Sequence, residues 1–114
     1  MNPADLKELM DKAKQAQAKM AELQRELALR RVEGSAGGGM VTAVATGELR
    51  IVELEIEPSL LASGDREMIQ DLIAAAVNAA LGSAQKMVQE EIQRASVNIG
   101  VPNLAGLLGS DGKS

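Results

Sequence analysis

Three carboxylates alternate with apolar residues over positions 52–57, and paired carboxylates can do acid–base chemistry. Glu53, Glu55 and Glu57 are two residues apart, so in a strand they share one face with about 6.8 Å between neighbours. Carboxylates at roughly that separation can support inverting glycoside hydrolysis. That reaction needs a shaped pocket, and the chain has no Phe, Tyr or Trp to help build one. A solvated strand face is therefore the better interpretation.

Three consecutive glycines at 37–39 form a second candidate site, because glycine-rich loops can bind phosphate. A phosphate loop continues into Gly-Lys-Ser/Thr and then a helix. Here Met40 and Val41 follow the glycines, and the pattern after them is that of a strand. The run therefore predicts a turn in which glycine supplies positive φ angles.

The absence of several residue types excludes most other kinds of catalytic site. The chain has no Cys and no His, which excludes the usual zinc, iron–sulfur and haem sites and every nucleophile that depends on histidine. Without aromatic residues there is no stacking platform for single-stranded bases. The composition predicts a binding or structural protein that is not an enzyme and uses no metal or cofactor.

Positive charge is concentrated in the first third of the chain. Residues 1–33 have seven Lys or Arg and six Asp or Glu, whereas residues 34–114 have five and ten, and the whole chain has a net charge of −4. Any attraction to phosphate must therefore come from the first third. The candidate residues are Lys7, Lys12, Lys14, Lys19, Arg25, Arg30 and Arg31. The alternative interpretation is a solubilised helix with internal salt bridges.

Residues 3–31 are predicted to form one long helix, with Asn2 as its N-cap. Apolar residues recur at spacings of three and four, which is a heptad pattern. We call this set the heptad seam: Leu6, Leu9, Ala13, Ala16, Met20, Leu23 and Leu27. About 29 residues at 1.5 Å each span roughly 43 Å, longer than the roughly 35 Å diameter of a compact domain of this size. The helix is therefore expected to project into solvent or to pair with a second copy.

The rest of the chain predicts a small sheet and a second helix. Residues 40–46 and 49–57 form a hairpin with a tight turn at Gly47-Glu48, and a further strand lies near 32–37. A helix follows over 65–95, capped by Asp65 or Gly64. Its expected buried stripe is Met68, Leu72, Ala76, Ala79, Ala80, Ser83, Met87 and Ile92. Within this helix Asn78 is expected to make a packing or interface hydrogen bond.

The domain is expected to cover residues 1–96. Residues 97–114 are rich in glycine and are predicted to be a mobile tail that the fold does not need. The N-terminus has no apolar core of a secretory signal, and no window is apolar enough to span a membrane. A cytoplasmic location is expected.

Three stretches in order resemble signatures of the YbaB/EbfC family of bacterial nucleoid-associated proteins. They follow a long helix bearing Lys, Gln and Met, and the likeness covers residues 4–95. The stretches are Glu33-Gly34-Ser35-Ala36-Gly37-Gly38-Gly39-Met40-Val41, Ile56-Glu57-Pro58-Ser59-Leu60-Leu61, and the run from Asp65 to Ala80.

The resemblance implies an α+β fold: an α-β-β-β-α protomer with a small antiparallel sheet and two long helices, forming an intertwined, tweezer-like homodimer. It also implies association with the nucleoid and binding of double-stranded DNA by the projecting first helices, with no catalytic residue. If roughly six cations of the dimer reach phosphates, the salt dependence of binding has a slope of about −5. The alternative function is a small acidic dimeric chaperone or scaffold, which would bind an amphipathic protein segment in a groove lined by Met and Leu.

Overall fold

The computed structural model describes residues 2–99. The observed order is α-β-β-β-α, as predicted, with one short additional helix between the last strand and the last long helix. The elements are α1 (Pro3–Leu29), β1 (Arg31–Ala36), β2 (Val41–Thr46), β3 (Ile51–Ile56), α2 (Pro58–Ser63) and α3 (Arg66–Ile99). Residues 26–89 form one compact unit, the sheet unit. A second unit, the helical unit, contains α1 up to Arg25 and α3 from Glu90 onward.

Helix α1 begins where the sequence predicts and ends two residues earlier. The Asn2 side chain accepts a hydrogen bond from the Asp5 backbone N–H at 2.9 Å, which satisfies one of the donors left open at a helix start. At the other end, the Arg30 N–H donates to the Leu27 carbonyl at 3.1 Å. The helix stops there because Arg31 already pairs with Thr46 in the sheet.

The three strands form one antiparallel sheet in the order β1-β2-β3. The predicted hairpin is present, but its connection is longer than a two-residue turn, because β3 begins at Ile51. Leu49 in this connection has a φ of +64°. The register shifts at the start of β3: Val44 pairs with Glu53, but Ala45 pairs with Ile51. Val52 is the extra residue of a β-bulge there.

Helix α3 packs against β2 through alanines. Ala76, Ala80 and Ala84 are fully buried in one cluster with Val41 and Ala43 of β2. Residues spaced by four share one helix face, so these alanines define the face of α3 that meets the sheet. The predicted stripe was wrong in part, because three of its members are exposed: Met68, Ala79 and Ser83.

Gly34 of β1 explains how closely α3 approaches the sheet. A Cβ atom at this position would overlap the backbone of Ala79 and Ala80. Only glycine leaves that space, so the strand and the helix are in direct backbone contact. The same packing explains the weak strand signal near 32–37. Gly34 lowers the strand propensity, but only a residue without a side chain lets α3 pack this close to β1.

The segment between β3 and α3 uses local signals that are visible in the sequence. Pro58 ends the strand and starts α2, and Gly64 ends α2 with a φ of +71°. Asp65 then caps α3, because its side chain accepts a hydrogen bond from the Met68 N–H at 3.1 Å. Helix α3 continues to Ile99, four residues beyond the predicted end. The remainder of the predicted tail, 100–114, lies outside the described residues.

No helix within residues 2–99 is both long and apolar enough to cross a membrane.

Candidate nucleic-acid interface

The seven basic residues predicted to bind DNA are all exposed, but they do not lie on one element. Five are in the part of α1 that belongs to the helical unit. Arg30 follows the end of α1 and Arg31 begins β1, so both belong to the sheet unit. The five residues on α1 are Lys7, Lys12, Lys14, Lys19 and Arg25.

Charged residues divide the surface of α1 into two unlike faces on either side of the heptad seam. At 3.6 residues per turn, Lys7, Lys14 and Arg25 share a face that contains no Asp or Glu between residues 3 and 25. We call it the acid-free face. We call the other the mixed face: it carries Lys12 and Lys19 among the four carboxylates of the same stretch, which are Asp5, Glu8, Asp11 and Glu22.

The ion pairs follow this division. Lys12 pairs with Glu8 one turn earlier, with 3.6 Å between Nζ and Oε1 and about 70% of each side chain exposed. No ion pair or hydrogen bond within residues 2–99 involves the side chains of Lys7, Lys14 or Arg25. An exposed ion pair between residues one turn apart contributes about 0.3–0.5 kcal/mol, so Glu8 binds Lys12 only weakly. Within the described residues, the three cations of the acid-free face have no ion pair that a phosphate would have to break.

Arg31 has a specific partner on the sheet. Its Nη2 donates to Oε1 of Glu53 at 2.7 Å, with about half of each side chain exposed. The two residues are on the outer strands, since Arg31 pairs with Thr46 and Glu53 pairs with Val44. The ion pair therefore bridges β1 and β3 across the face of β2 that carries Val44, which is only 7% exposed.

This bridge was missed by sequence reasoning, which treated Glu53, Glu55 and Glu57 as one solvated face. Glu55 and Glu57 fit that interpretation, because both are exposed. Glu53 differs because the strand order and register bring it near Arg31. No local sequence signal indicates the pairing, since the two residues are 22 positions apart. No cluster of carboxylates within residues 2–99 could hold a metal ion.

The glycine run at 37–39 forms the turn between β1 and β2. All three residues have positive φ angles, of +64°, +67° and +94°, which explains why glycine occupies each of them. The prediction of a strand-linking turn is confirmed. Asn78 is exposed on α3, and its side chain makes no hydrogen bond within the described part of the chain, so an intrachain packing role for it was wrong and an interface role stays a prediction.

The heptad seam changes from exposed to buried along α1. Leu6 and Leu9 are 49% and 55% exposed, whereas Leu27 is 2% exposed. Met20 and Leu23 are half-buried between them. Large apolar side chains thus remain open to solvent over the first two turns, on the helix that carries the candidate cations.

Comparison with known proteins gives the family. The model of the YbaB/EbfC DNA-binding family matches residues 1–98. A nucleoid-associated protein of Pelotomaculum thermopropionicum is 43% identical over 104 residues, which cover 91% of this chain and 99% of that protein. A nucleoid-associated protein of Acetivibrio thermocellus is 45% identical, over 88% of this chain and 89% of its own.

A solved structure has the same fold. The crystal structure of an uncharacterised protein from Helicobacter pylori aligns with a TM-score of 0.56 and 26% identity, and covers 87% of this chain and 97% of that one. The matched family is one of nucleoid-associated DNA-binding proteins and not one of enzymes, which confirms the resemblance read from the motifs and the expectation that the protein is not an enzyme. The chain therefore belongs to the YbaB/EbfC DNA-binding family.

Proposed function

We propose that the protein binds double-stranded DNA as a homodimer, mainly through phosphate contacts from α1. The observation that carries this proposal is the difference in charge between the sheet unit and the α1 segment of the helical unit. The sheet unit has five Lys or Arg against nine Asp or Glu, whereas residues 1–25 have five against four. An acidic unit repels DNA, so attraction depends on cations that reach within about one Debye length, 8–10 Å, of phosphate. The candidates for these contacts are the seven residues predicted from the sequence: Lys7, Lys12, Lys14, Lys19, Arg25, Arg30 and Arg31.

The homodimer is supported by the open end of the heptad seam. Leu6 and Leu9 are about half exposed, at the spacing with which two helices pack against each other. A second copy of α1 offers the same apolar surface, and pairing removes it from water at roughly 25 cal/mol per Å². A dimer also doubles the number of cations offered to one duplex.

Phosphate contacts are favoured over base contacts by the residues on α1. Lysine binds phosphate as a point charge, and the chain has no aromatic residue or histidine to stack on or insert between bases. We therefore expect modest sequence preference, with binding set by phosphate and by DNA shape. The names of the relatives support a location at the nucleoid.

The test is a fluorescence-anisotropy titration of two unrelated duplexes at two salt concentrations. The variant with Lys12, Lys14 and Lys19 all replaced by Ala should bind both duplexes more weakly and to the same extent. Its salt slope should be shallower by about 0.9 for each phosphate that the variant no longer neutralises. The matched control replaces three exposed cations of the sheet unit, Arg50, Arg66 and Lys86, by Ala. This control should bind nearly as the parent does.

Equal weakening in both triple variants would assign binding to net charge and contradict the role of α1. Parent-like binding by a folded α1 variant would exclude its central lysines.

A chaperone or scaffold function is the second candidate, and one observation favours it. Leu6, Leu9 and Met10 are each about half exposed, so α1 presents an apolar surface that could hold an amphipathic helix of another protein. The same titration separates the two functions, because a scaffold of this kind has no reason to bind duplex DNA with a steep salt dependence.

A further inference from the structure

The basic residues of α1 are not equivalent, and their arrangement points to one side of the helix. Over residues 3–25 the acid-free face carries three cations and no carboxylate, a charge of +3. The mixed face carries two cations and four carboxylates, a charge of −2, and two of these carboxylates, Asp11 and Glu22, lie on its border with the acid-free face. The near-neutral total of the segment conceals this asymmetry. We propose that DNA lies against the acid-free face, so that Lys7, Lys14 and Arg25 contact phosphate and Lys12 and Lys19 do not. This inference rests on the proposed function and narrows it.

Separation around the helix makes the two faces electrostatically distinct. At 100° per residue the pair Lys7 and Lys14 lies roughly 140° from the pair Lys12 and Lys19, which is on the order of 10 Å across a helix 10–12 Å wide. That distance is about one Debye length at physiological salt. A phosphate that contacts Lys14 is therefore partly screened from Asp5 and Glu8, and the carboxylate nearest to it is Asp11, about one turn away. A phosphate on the mixed face meets those carboxylates directly, and they offset the attraction of the lysines there.

The ion pairs also favour DNA binding on the acid-free face of α1. Lys12 is already engaged with Glu8 at 3.6 Å, so a phosphate must compete with a carboxylate for it. Asp11 and Glu22 lie where the mixed face borders the acid-free face, one turn from its cations, yet neither makes an ion pair within residues 2–99. The cations of the acid-free face are thus not engaged by a carboxylate that phosphate would have to displace.

The spacing suits contacts along a duplex. Lys7 and Lys14 are seven residues apart, or about 10.5 Å along the axis, and Arg25 is a further 16.5 Å or so away. The three together span about 27 Å, less than one turn of B-DNA at roughly 34 Å. Between Lys14 and Arg25 the face carries Ala18 and Ala21, which are small and add no repulsion.

The chain offers a closely matched pair of double variants. Lys7 and Lys14 are seven residues apart, and so are Lys12 and Lys19. Each pair can be replaced by Ala, which removes two positive charges from exposed positions of the same helix and keeps high helix propensity. Circular dichroism and size-exclusion chromatography are the checks that both variants keep the fold and the oligomeric state of the parent.

The measurement is the dissociation constant for one duplex of about 20 base pairs across a series of salt concentrations. K7A/K14A should raise Kd about tenfold or more at 100 mM salt and make the slope shallower by about 1.8, if each lysine contacts one phosphate. K12A/K19A should change Kd less than about threefold.

A rise in Kd for K12A/K19A that equals or exceeds the rise for K7A/K14A overturns the choice of face and leaves α1 as the DNA-binding helix. Parent-like binding by both variants, or no salt-dependent binding by the parent, overturns the proposed function itself.

Discussion

Small side chains let a helix lie directly against the sheet within residues 26–89, whereas large apolar side chains stay exposed along the first turns of α1. In the sheet unit, Gly34 meets the backbone of Ala80, and Ala76 and Ala84 are fully buried. In the helical unit, Leu9 is 55% exposed. Close packing of small residues buries the side of the sheet that meets α3 within a single chain, while Leu29, Val52 and Leu61 of the same unit remain 78%, 50% and 55% exposed. The leucines on the first turns of α1 have no comparable contact within the chain, and their regular spacing along one helix face is the feature of α1 that favours a partner helix.

The largest expected effect comes from filling the close contact in the sheet unit. In Gly34→Val the new side chain would overlap the backbone of Ala79 and Ala80, and backbone cannot rotate away as a side chain can. We expect a loss of about 3 kcal/mol or more in the free energy of unfolding, measured by chemical denaturation. Gly82→Ala on α3 is the control, because nothing lies near its Cβ position and it should be neutral or slightly stabilising. Equal stability of the two variants would contradict the close packing of β1 on α3.

A substitution in the helical unit should weaken association of the dimer and leave the folding of the chain unchanged. Leu9→Gln places an amide on the open part of the heptad seam, and burial of a leucine side chain is worth roughly 1.5–3 kcal/mol. We expect the dimer dissociation constant to rise about tenfold or more, as measured by analytical ultracentrifugation. Leu61→Gln on α2 is the matched control, since Leu61 and Leu9 are both 55% exposed. Dissociation by the control and not by Leu9→Gln would place the interface on the sheet unit.

A smaller loss of stability is expected at the turn between β1 and β2. Gly38 has a φ of +67°, and nothing lies near its Cβ position. Gly38→Val therefore meets backbone strain and no steric overlap, with an expected cost of about 1–3 kcal/mol. Thermal unfolding measures the loss, and a nucleotide-binding assay on the parent should detect no binding. A folded, fully stable Gly38→Val protein that lacked a nucleotide affinity measurable in the parent would restore the phosphate-loop interpretation.

The smallest expected effect is a difference in DNA affinity between variants of two carboxylates on β3. Glu53→Gln releases Arg31 from its 2.7 Å ion pair, whereas Glu55→Gln removes the same charge from a residue with no ion pair within residues 2–99. The free guanidinium should strengthen DNA binding about twofold in Glu53→Gln, in line with the small energy of an exposed pair. Glu55→Gln should give a smaller gain. Indistinguishable affinities would show that Arg31 takes no part in binding.

Local signals were sufficient to predict most of the elements. Asn2 and Asp65 cap their helices as their residue types suggest, and the glycines at 37–39 make the turn that their freedom in φ allows. The basic residues of α1 could also be found, because charge is a property of the sequence. Contacts between residues that are far apart in the sequence could not be predicted. The register that brings Arg31 to Glu53 and the approach of α3 to Gly34 both depend on tertiary packing.

Cross-linking from a single position tests most directly whether α1 is the DNA-binding element. The chain has no cysteine, so one introduced cysteine can carry a photoreactive group without competing sites. Ala21→Cys places it on the acid-free face between Lys14 and Arg25, and Ala62→Cys places it on α2 of the sheet unit; both positions are exposed. We predict strong cross-linking of duplex DNA from position 21 that falls as salt is raised, and little from position 62. Strong cross-linking from position 62 with none from position 21, at equal DNA affinity of the two labelled proteins, would contradict a DNA-binding role for α1.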